Sequence, residues 1–312
     1  MFAGILMLAL APFAAGDLKV LELQAGLDRA GYSCNTIDGV WGPKSSAALR
    51  AYCRDRKLRQ PATPEEALAK YFPAADTGTF VRVRVRAEDI AALVDMPAAP
   101  EEKAALEHMG YASIRDMFAE RGHMSKTAFD RLNAGLAGAP LKAGAEVVIP
   151  YFPSIAEELD AWPKRDRPKG APVRPNAAEV RISLSRCEIS AYDDEGKRLA
   201  FFPCSIAKSK SKLPAHGELE IVNRIPNPNY TYTPDAAVQG AKASRHIFPP
   251  GPRNPVGVAW LGLNLPGYGI HGTPSPESVG KPESHGCFRL SNWNAARLYA
   301  ICPIGTKVII EP

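Results

Sequence analysis

Among the six cysteines of this 312-residue sequence there is no Cys-x-x-Cys pair, so a structural zinc site of the usual spacing is excluded. Absent too are a Gly-x-Gly-x-x-Gly fingerprint and a lysine-containing phosphate loop, which removes the familiar nucleotide-binding signatures. No apolar run reaches the roughly 20 residues that a membrane-spanning helix needs, so no transmembrane span is expected. Lysine and arginine form no dense block, and the net charge is a mild +5. That suits an anionic wall or membrane surface and leaves no nucleic-acid footprint. Charge of either sign is missing from Met1 to Gly16, where an apolar stretch runs from Phe2 to Leu10 and Ala14 and Gly16 supply small residues. Such a segment reads as a signal peptide over 1–16, with the mature chain starting near Asp17, although the usual leading positive charge is missing. A buried N-terminal helix is the alternative.

Proline is in excess, 29 residues against roughly 16 expected at about 5% usage, which points to linkers and loops rather than a helical bundle. The length allows two or three domains. Residues 17–60 carry helical periodicity, with Leu18, Leu21, Leu23 and Leu27 near one face and Gly31 as a stop. A second helix follows from Lys44, and a Cys34–Cys53 bridge is expected to staple the pair. In residues 80–152, Val81, Val83 and Val85 alternate with Arg82, Arg84 and Arg86 as a half-exposed strand, and Met117 to Arg121 reads as helix. The stretch 163–175 holds four prolines among five basic residues and one acid, with Val173 its only large apolar residue. It reads as an extended linker that keeps its two sides out of one core. Residues 178–312 are β-rich: Val180, Ile182 and Leu184 alternate with polar residues, and a hairpin turns at Asp193-Asp194-Glu195-Gly196. That hairpin is expected to set Cys187 and Cys204 diagonally, too far apart for an unstrained bridge. Asn294 to Ala300 reads as helix and Val308 to Ile310 as a last strand.

Two of these blocks resemble known modules. Gly31-Tyr32, the turn Asp38-Gly39-Val40-Trp41-Gly42-Pro43 and the Ala-rich helix after it resemble the peptidoglycan-binding domain type 1. Leu132-Asn133-Ala134-Gly135, Leu141-Lys142-Ala143-Gly144 and Val147-Val148-Ile149-Pro150 resemble a degenerate LysM module, a βααβ fold that binds N-acetylglucosamine polymers.

The residues that carry chemistry are Gly269-Ile270-His271-Gly272-Thr273 and, after a short gap, Ser284-His285-Gly286-Cys287-Phe288-Arg289-Leu290-Ser291-Asn292. A free thiol is only a few per cent ionised near neutrality, and a neighbouring imidazole can take its proton. Thiolate attack on an amide carbonyl makes an oxyanion that needs N–H donors, and leaves a thioester that a second amine can resolve. Gly286 lets substrate approach the backbone around the nucleophile.

His271-Gly272-Thr273 followed by Ser284-His285-Gly286-Cys287-Phe288-Arg289-Leu290 resembles the signature of the L,D-transpeptidase (YkuD-type) catalytic domain over roughly the last 130 residues. The resemblance implies Cys287 as nucleophile and His271 as general base and acid, oriented by the Gly272 carbonyl. It implies that Ser284 and His285 support the nucleophile loop, that Gly286 and Cys287 offer oxyanion N–H groups, and that Arg289 holds the loop or binds a substrate carboxylate. Asn292 is read as structural.

The fold class expected is α+β multidomain: a small helical N-terminal domain, a LysM-like α+β module and a β-rich catalytic domain. The function expected is an exported, monomeric enzyme of the periplasm or cell wall acting on peptidoglycan stem peptides and glycan, and open to carbapenem-type inhibitors. It attacks the diaminopimelate–D-alanine bond of a tetrapeptide stem and forms a 3→3 cross-link, with no metal or organic cofactor called for. Hydrolysis at the same site, attachment of a lipoprotein to the wall, and a non-catalytic wall-binding role stay open.

Overall fold

The structure is a computed structural model that describes residues 13–73, 80–136, 140–163, 173–214, 217–233, 245–284 and 286–312. Most of the signal-peptide stretch, most of the linker, and His285 therefore lie outside the described residues. Among the described residues no helix is long and apolar enough to cross a membrane.

The N-terminal block is three helices, α1 (Ala15–Arg29), α2 (Pro43–Asp55) and α3 (Pro64–Tyr71). Sequence periodicity gave the first two. Glycine at position 31, with φ +89°, ends α1, and Pro43 opens α2 at its first turn, where a missing N–H costs nothing. The third starts at Thr63, whose hydroxyl accepts from Glu66 N–H. The leucines of α1 do not share one face. Leu21 joins the core of the middle block while Leu23 and Leu27 pack with α2, because α1 is wedged between two clusters. The expected Cys34–Cys53 bridge is not formed. Both thiols are free and buried in the α1–α2 cluster, where they pack as small apolar groups, and Cys34 hydrogen-bonds Ser45.

In the middle block β1 (Phe80–Arg84) pairs antiparallel with β2 (Glu146–Pro150). Between them lie α4 (Ala87–Ala91), α5 (Pro100–Ala104), α6 (Ile114–Arg121) and α7 (Lys126–Leu132). The alternation read in the sequence holds, with Arg82 and Arg84 exposed and Val81, Val83 and Val85 turned inward. Next come α8 (Ile155–Asp160) and the short parallel pair β3 (Trp162–Pro163) and β4 (Val173–Arg174).

The C-terminal block is built on β5 (Glu179–Ser183), β6 (Glu188–Tyr192), β7 (Arg198–Pro203), β8 (Ile206–Ala207) and β9 (Gly217–Pro226). It continues through β10 (Tyr230–Tyr232), β11 (His246–Phe248), β12 (Ala259–Leu263), β13 (Gly269–His271) and β14 (Pro282–Ser284). The chain ends with β15 (Phe288–Arg289), α9 (Asn292–Ile301) and β16 (Lys307–Glu311). Eight of these strands form one mixed sheet in the order β15-β13-β12-β9-β16-β5-β6-β7, with α9 packed into its core cluster. The hairpin at Asp193–Gly196 forms, but a bulge at Ala191/Tyr192 shifts its register. Cys204 N–H donates to Cys187 O at 2.8 Å, so these cysteines sit opposite each other rather than diagonally, and both are free.

The blocks share buried contacts, contrary to the expectation drawn from the linker. Phe201 of β7 joins the α1–α2 cluster, exchanging backbone hydrogen bonds with Gly31 and Ser33. Asp28 of α1, fully buried, binds Arg297 of α9 and His123 of the middle block. The pattern does not announce this, because Asp28, His123 and Arg297 are polar residues that it assigns to the surface, and Phe201 lies on a strand whose apolar residues it assigns to the C-terminal core.

Candidate active site

The parallel pairing of β13 with β15 decides which side chains meet. His271 is level with Arg289 and Ile270 with Phe288, so Cys287 enters the sheet beside Gly269. Side chains alternate across a strand. His271, Cys287 and Arg289 therefore share one face, while Ile270 and Phe288, both fully buried, point into the core. The three polar side chains line a cleft of about 450 Å³. A larger cavity of about 600 Å³ lies between α2 and the β6–β7 edge, but no histidine lines it. The smaller cleft is where a base and a nucleophile meet.

His271 is 4% exposed, and its Nδ1 lies 2.6 Å from the Gly272 carbonyl. A carbonyl can only accept, so Nδ1 carries the proton and Nε2 keeps its lone pair. The Trp260 ring stacks on the imidazole, with centroids 5.5 Å apart and planes at 18°. Burial holds the imidazole pKa down at about 4, aided by the Arg289 charge and opposed by the Gly272 and Val256 carbonyls.

Cys287 is partly buried, and its Sγ reaches the Gly267 carbonyl at 3.5 Å. Burial pushes the thiol up, while a Gly269 backbone contact and Arg289 oppose the shift. The resting pair is thus neutral thiol and neutral imidazole. Among the described residues no hydrogen bond joins Sγ to His271. Ser284 is buried, donates to Cys287 O at 2.6 Å and accepts from Gly286 N–H at 3.2 Å. That engagement takes the Gly286 N–H, one of the two expected oxyanion donors, and leaves the Cys287 N–H. Arg289 exchanges backbone hydrogen bonds with Ser205, and among the described residues its guanidinium has no acidic partner. It is therefore available to an anionic group in the cleft.

Sequence reading brought out Cys287, His271, Gly272, Ser284, Gly286 and Arg289, and these come together. It missed Trp260, Val256 and the β10 residue Tyr230, all on the cleft wall. The register of β12 against β13 sets Trp260 opposite His271, and no local motif announces that pairing.

A family model described as the L,D-transpeptidase catalytic domain, YkuD, matches residues 177–310. Curated relatives agree. A Fuscovulum blasticum protein, named as an L,D-transpeptidase in the ATP synthase subunits region, is 35% identical over 151 residues, 48% of this chain and 75% of that one. A Bacillus subtilis protein named as L,D-transpeptidase YkuD is 30% identical over 173 residues, 55% of this chain and 79% of its own. Its Bacillus licheniformis namesake is 29% identical over 188 residues, 60% of this chain and 87% of that one.

Proposed function

The chain belongs to the L,D-transpeptidase family, and from that premise we propose that it forms 3→3 peptidoglycan cross-links through a thioester on Cys287. The observation that carries this reading is the His271 Nδ1–Gly272 carbonyl contact, which leaves Nε2 unprotonated in the cleft that Cys287 lines. Nε2 takes the thiol proton as Sγ attacks the carbonyl of the diaminopimelate–D-alanine amide in a tetrapeptide stem. The Cys287 N–H supports the oxyanion. The C–N bond then breaks, the imidazolium returns its proton to the departing amine, and D-alanine leaves. The side-chain amine of diaminopimelate on a second stem attacks the thioester, gives its proton to Nε2 and releases the thiolate. That thiolate takes back the proton held on the imidazolium. Arg289, with no acidic partner among the described residues, suits a stem carboxylate.

The helical block at 17–60 and the α+β block at 80–152 would hold the enzyme on glycan, raising its effective concentration on an insoluble substrate. The site of action under this reading is the periplasm or cell wall. Incubating the protein with purified tetrapeptide stem dimers and weighing the products by mass spectrometry tests it. Cross-linked products with loss of D-alanine are expected; a tripeptide product alone would mean hydrolysis.

A further inference from the structure

The acceptor that fixes His271 is a backbone carbonyl, so something must fix that peptide. Gly272 lies against Gly257, whose φ is +64°; a methyl group built at Gly257 would come within 2.6 Å of the Gly272 carbonyl carbon. The Asn292 side-chain amide fills the remaining space. Its Oδ1 would lie 2.1 Å from a methyl at Gly257 and 2.3 Å from one at Gly272, and among the described residues it accepts no hydrogen bond. Its Nδ2 donates to Glu120 Oε1 at 2.8 Å and to the Pro252 carbonyl at 3.0 Å. A flipped amide would set Oδ1 against a carboxyl oxygen and a carbonyl, so Glu120 helps to fix which way the amide points.

Glu120 belongs to α6 of the middle block and is 172 positions away in the chain. We propose that Glu120 is a positioning residue for His271, acting through Asn292 on the Gly257–Gly272 contact behind the imidazole. This rests on the reading of His271 as the general base.

Neighbouring contacts from the middle block reinforce the same turn. Met109 N–H donates to Pro250 O at 2.8 Å and Met109 O accepts from Arg253 N–H at 3.0 Å. Arg253 pairs with Asp116 of α6 at 2.6 Å and donates to the Pro274 carbonyl at 2.7 Å, two residues past Gly272. The groups facing Glu120 are Asn292, the Tyr111 hydroxyl, Arg253 and Asp116, and Asp116 also pairs with Lys126. Burial pushes the Glu120 carboxyl up to about 7, and its contacts with Asn292, Arg253 and Tyr111 oppose that shift.

The test is the rate of Cys287 alkylation by iodoacetamide in the full chain, read by mass spectrometry of the Cys287 peptide across the pH range where imidazole and thiol titrate. Wild type is compared with Glu120→Ala, Glu120→Asp, Glu120→Gln and His271→Ala, each checked for a native thermal transition. Glu120→Gln keeps an oxygen for Asn292 Nδ2 and should follow wild type. Glu120→Ala and Glu120→Asp, which remove or withdraw it, should fall about ten- to a hundredfold towards His271→Ala, the range that misplacement of a catalytic group produces. Their pH profiles should shift as well. Should Glu120→Ala fail to fold, Glu120→Asp against Glu120→Gln decides. A wild-type profile in a folded Ala or Asp variant, or a Gln variant as slow as Ala, overturns the proposal. Alkylation that does not depend on His271 in the wild type would instead remove the base assignment, and the positioning role with it. His271-dependent alkylation without release of D-alanine from stems would sink only the transpeptidase reading.

Discussion

At the scale of single residues, the site rests on two opposite consequences of burial. The His271 imidazole is held near pKa 4, below its ordinary 6.5, and the Cys287 thiol is pushed up. A base works only when neutral, so His271 stays competent as pH falls through 6.5 and loses its lone pair only towards about 4. Initial rates of carbapenem acylation should therefore show an acid limb near 4 rather than near 6.5. A limb at the ordinary imidazole value would mean that the site is more open to water than its burial indicates. The same depression costs stability over that interval, because the unfolded chain then binds a proton that the folded chain does not. The nucleophile gives a second prediction. Replacing Cys287 with Ser should abolish turnover, since a neutral imidazole cannot ionise a hydroxyl as it does a thiol. Cross-linking by a folded serine variant at more than about a hundredth of the wild-type rate would argue against thiolate chemistry. This part of the site was legible because Ser284-His285-Gly286-Cys287 is contiguous. Trp260 was not, because strand register brings it in, and for Asn292, read as structural, what stayed hidden was its contact with Glu120 across 172 positions.

At the scale of elements, α1 departs furthest from its sequence pattern. It reads as an amphipathic helix, yet Gln24 and Asp28 are as buried as its leucines. Asp28 binds Ser33 Oγ at 2.9 Å, His123 Nδ1 at 3.0 Å and the Arg297 guanidinium. Burial alone would raise this carboxyl; Arg297, then His123 and Ser33, more than reverse it and hold it well below the usual carboxylate range. Burial in turn holds His123 at about 4, so it donates as a neutral ring, stacked between Phe152 and Trp293. Replacing Asp28 with Asn leaves Arg297 without its charge partner and should cost about 3–5 kcal/mol by denaturant unfolding near neutral pH. Its folded pKa is depressed, so that contribution is present above the ordinary value of 3.8 and is lost as pH falls below it. A loss under about 1 kcal/mol would mean that Glu158, 3.8 Å from Arg297, takes over the charge. Other elements announced themselves in caps that pattern reading passed over. Thr63, Ser113, Ser125 and Ser154 each accept an N–H three residues on, at the starts of α3, α6, α7 and α8. The place of β16 between β5 and β9 had no such signal, because parallel pairing with a strand over a hundred residues away is a tertiary outcome.

At the scale of the whole molecule, the proline-rich stretch suggested separable modules, with localisation on one side and chemistry on the other. The contacts argue otherwise. The C-terminal block receives Phe201's apolar partners from α1 and α2, Arg297's counter-charge from Asp28 and Asn292's acceptor from Glu120. It also receives Leu159 of α8, buried in its own core. Removing residues 1–163 would strip all four at once, leaving an apolar side chain in water and a nearly buried guanidinium without its main partner. The truncated protein should therefore melt well below the full chain, and its Cys287 should be acylated more slowly even by a small soluble carbapenem. The full chain should unfold in one cooperative step, because clusters bridged by α1 cannot separate without exposing both. Calorimetry of the two proteins, paired with acylation rates measured below the truncated form's transition, separates lost stability from lost positioning. A truncated enzyme that melts with the full chain and reacts at its rate would return the N-terminal blocks to a purely targeting role. If it melts lower but reacts at the full rate when folded, the blocks support the sheet without reaching the histidine. The contacts at Gly257 and Gly272 predict a deficit in both measurements, since the same middle-block helix that buries Glu120 also holds Arg253 against the turn after His271.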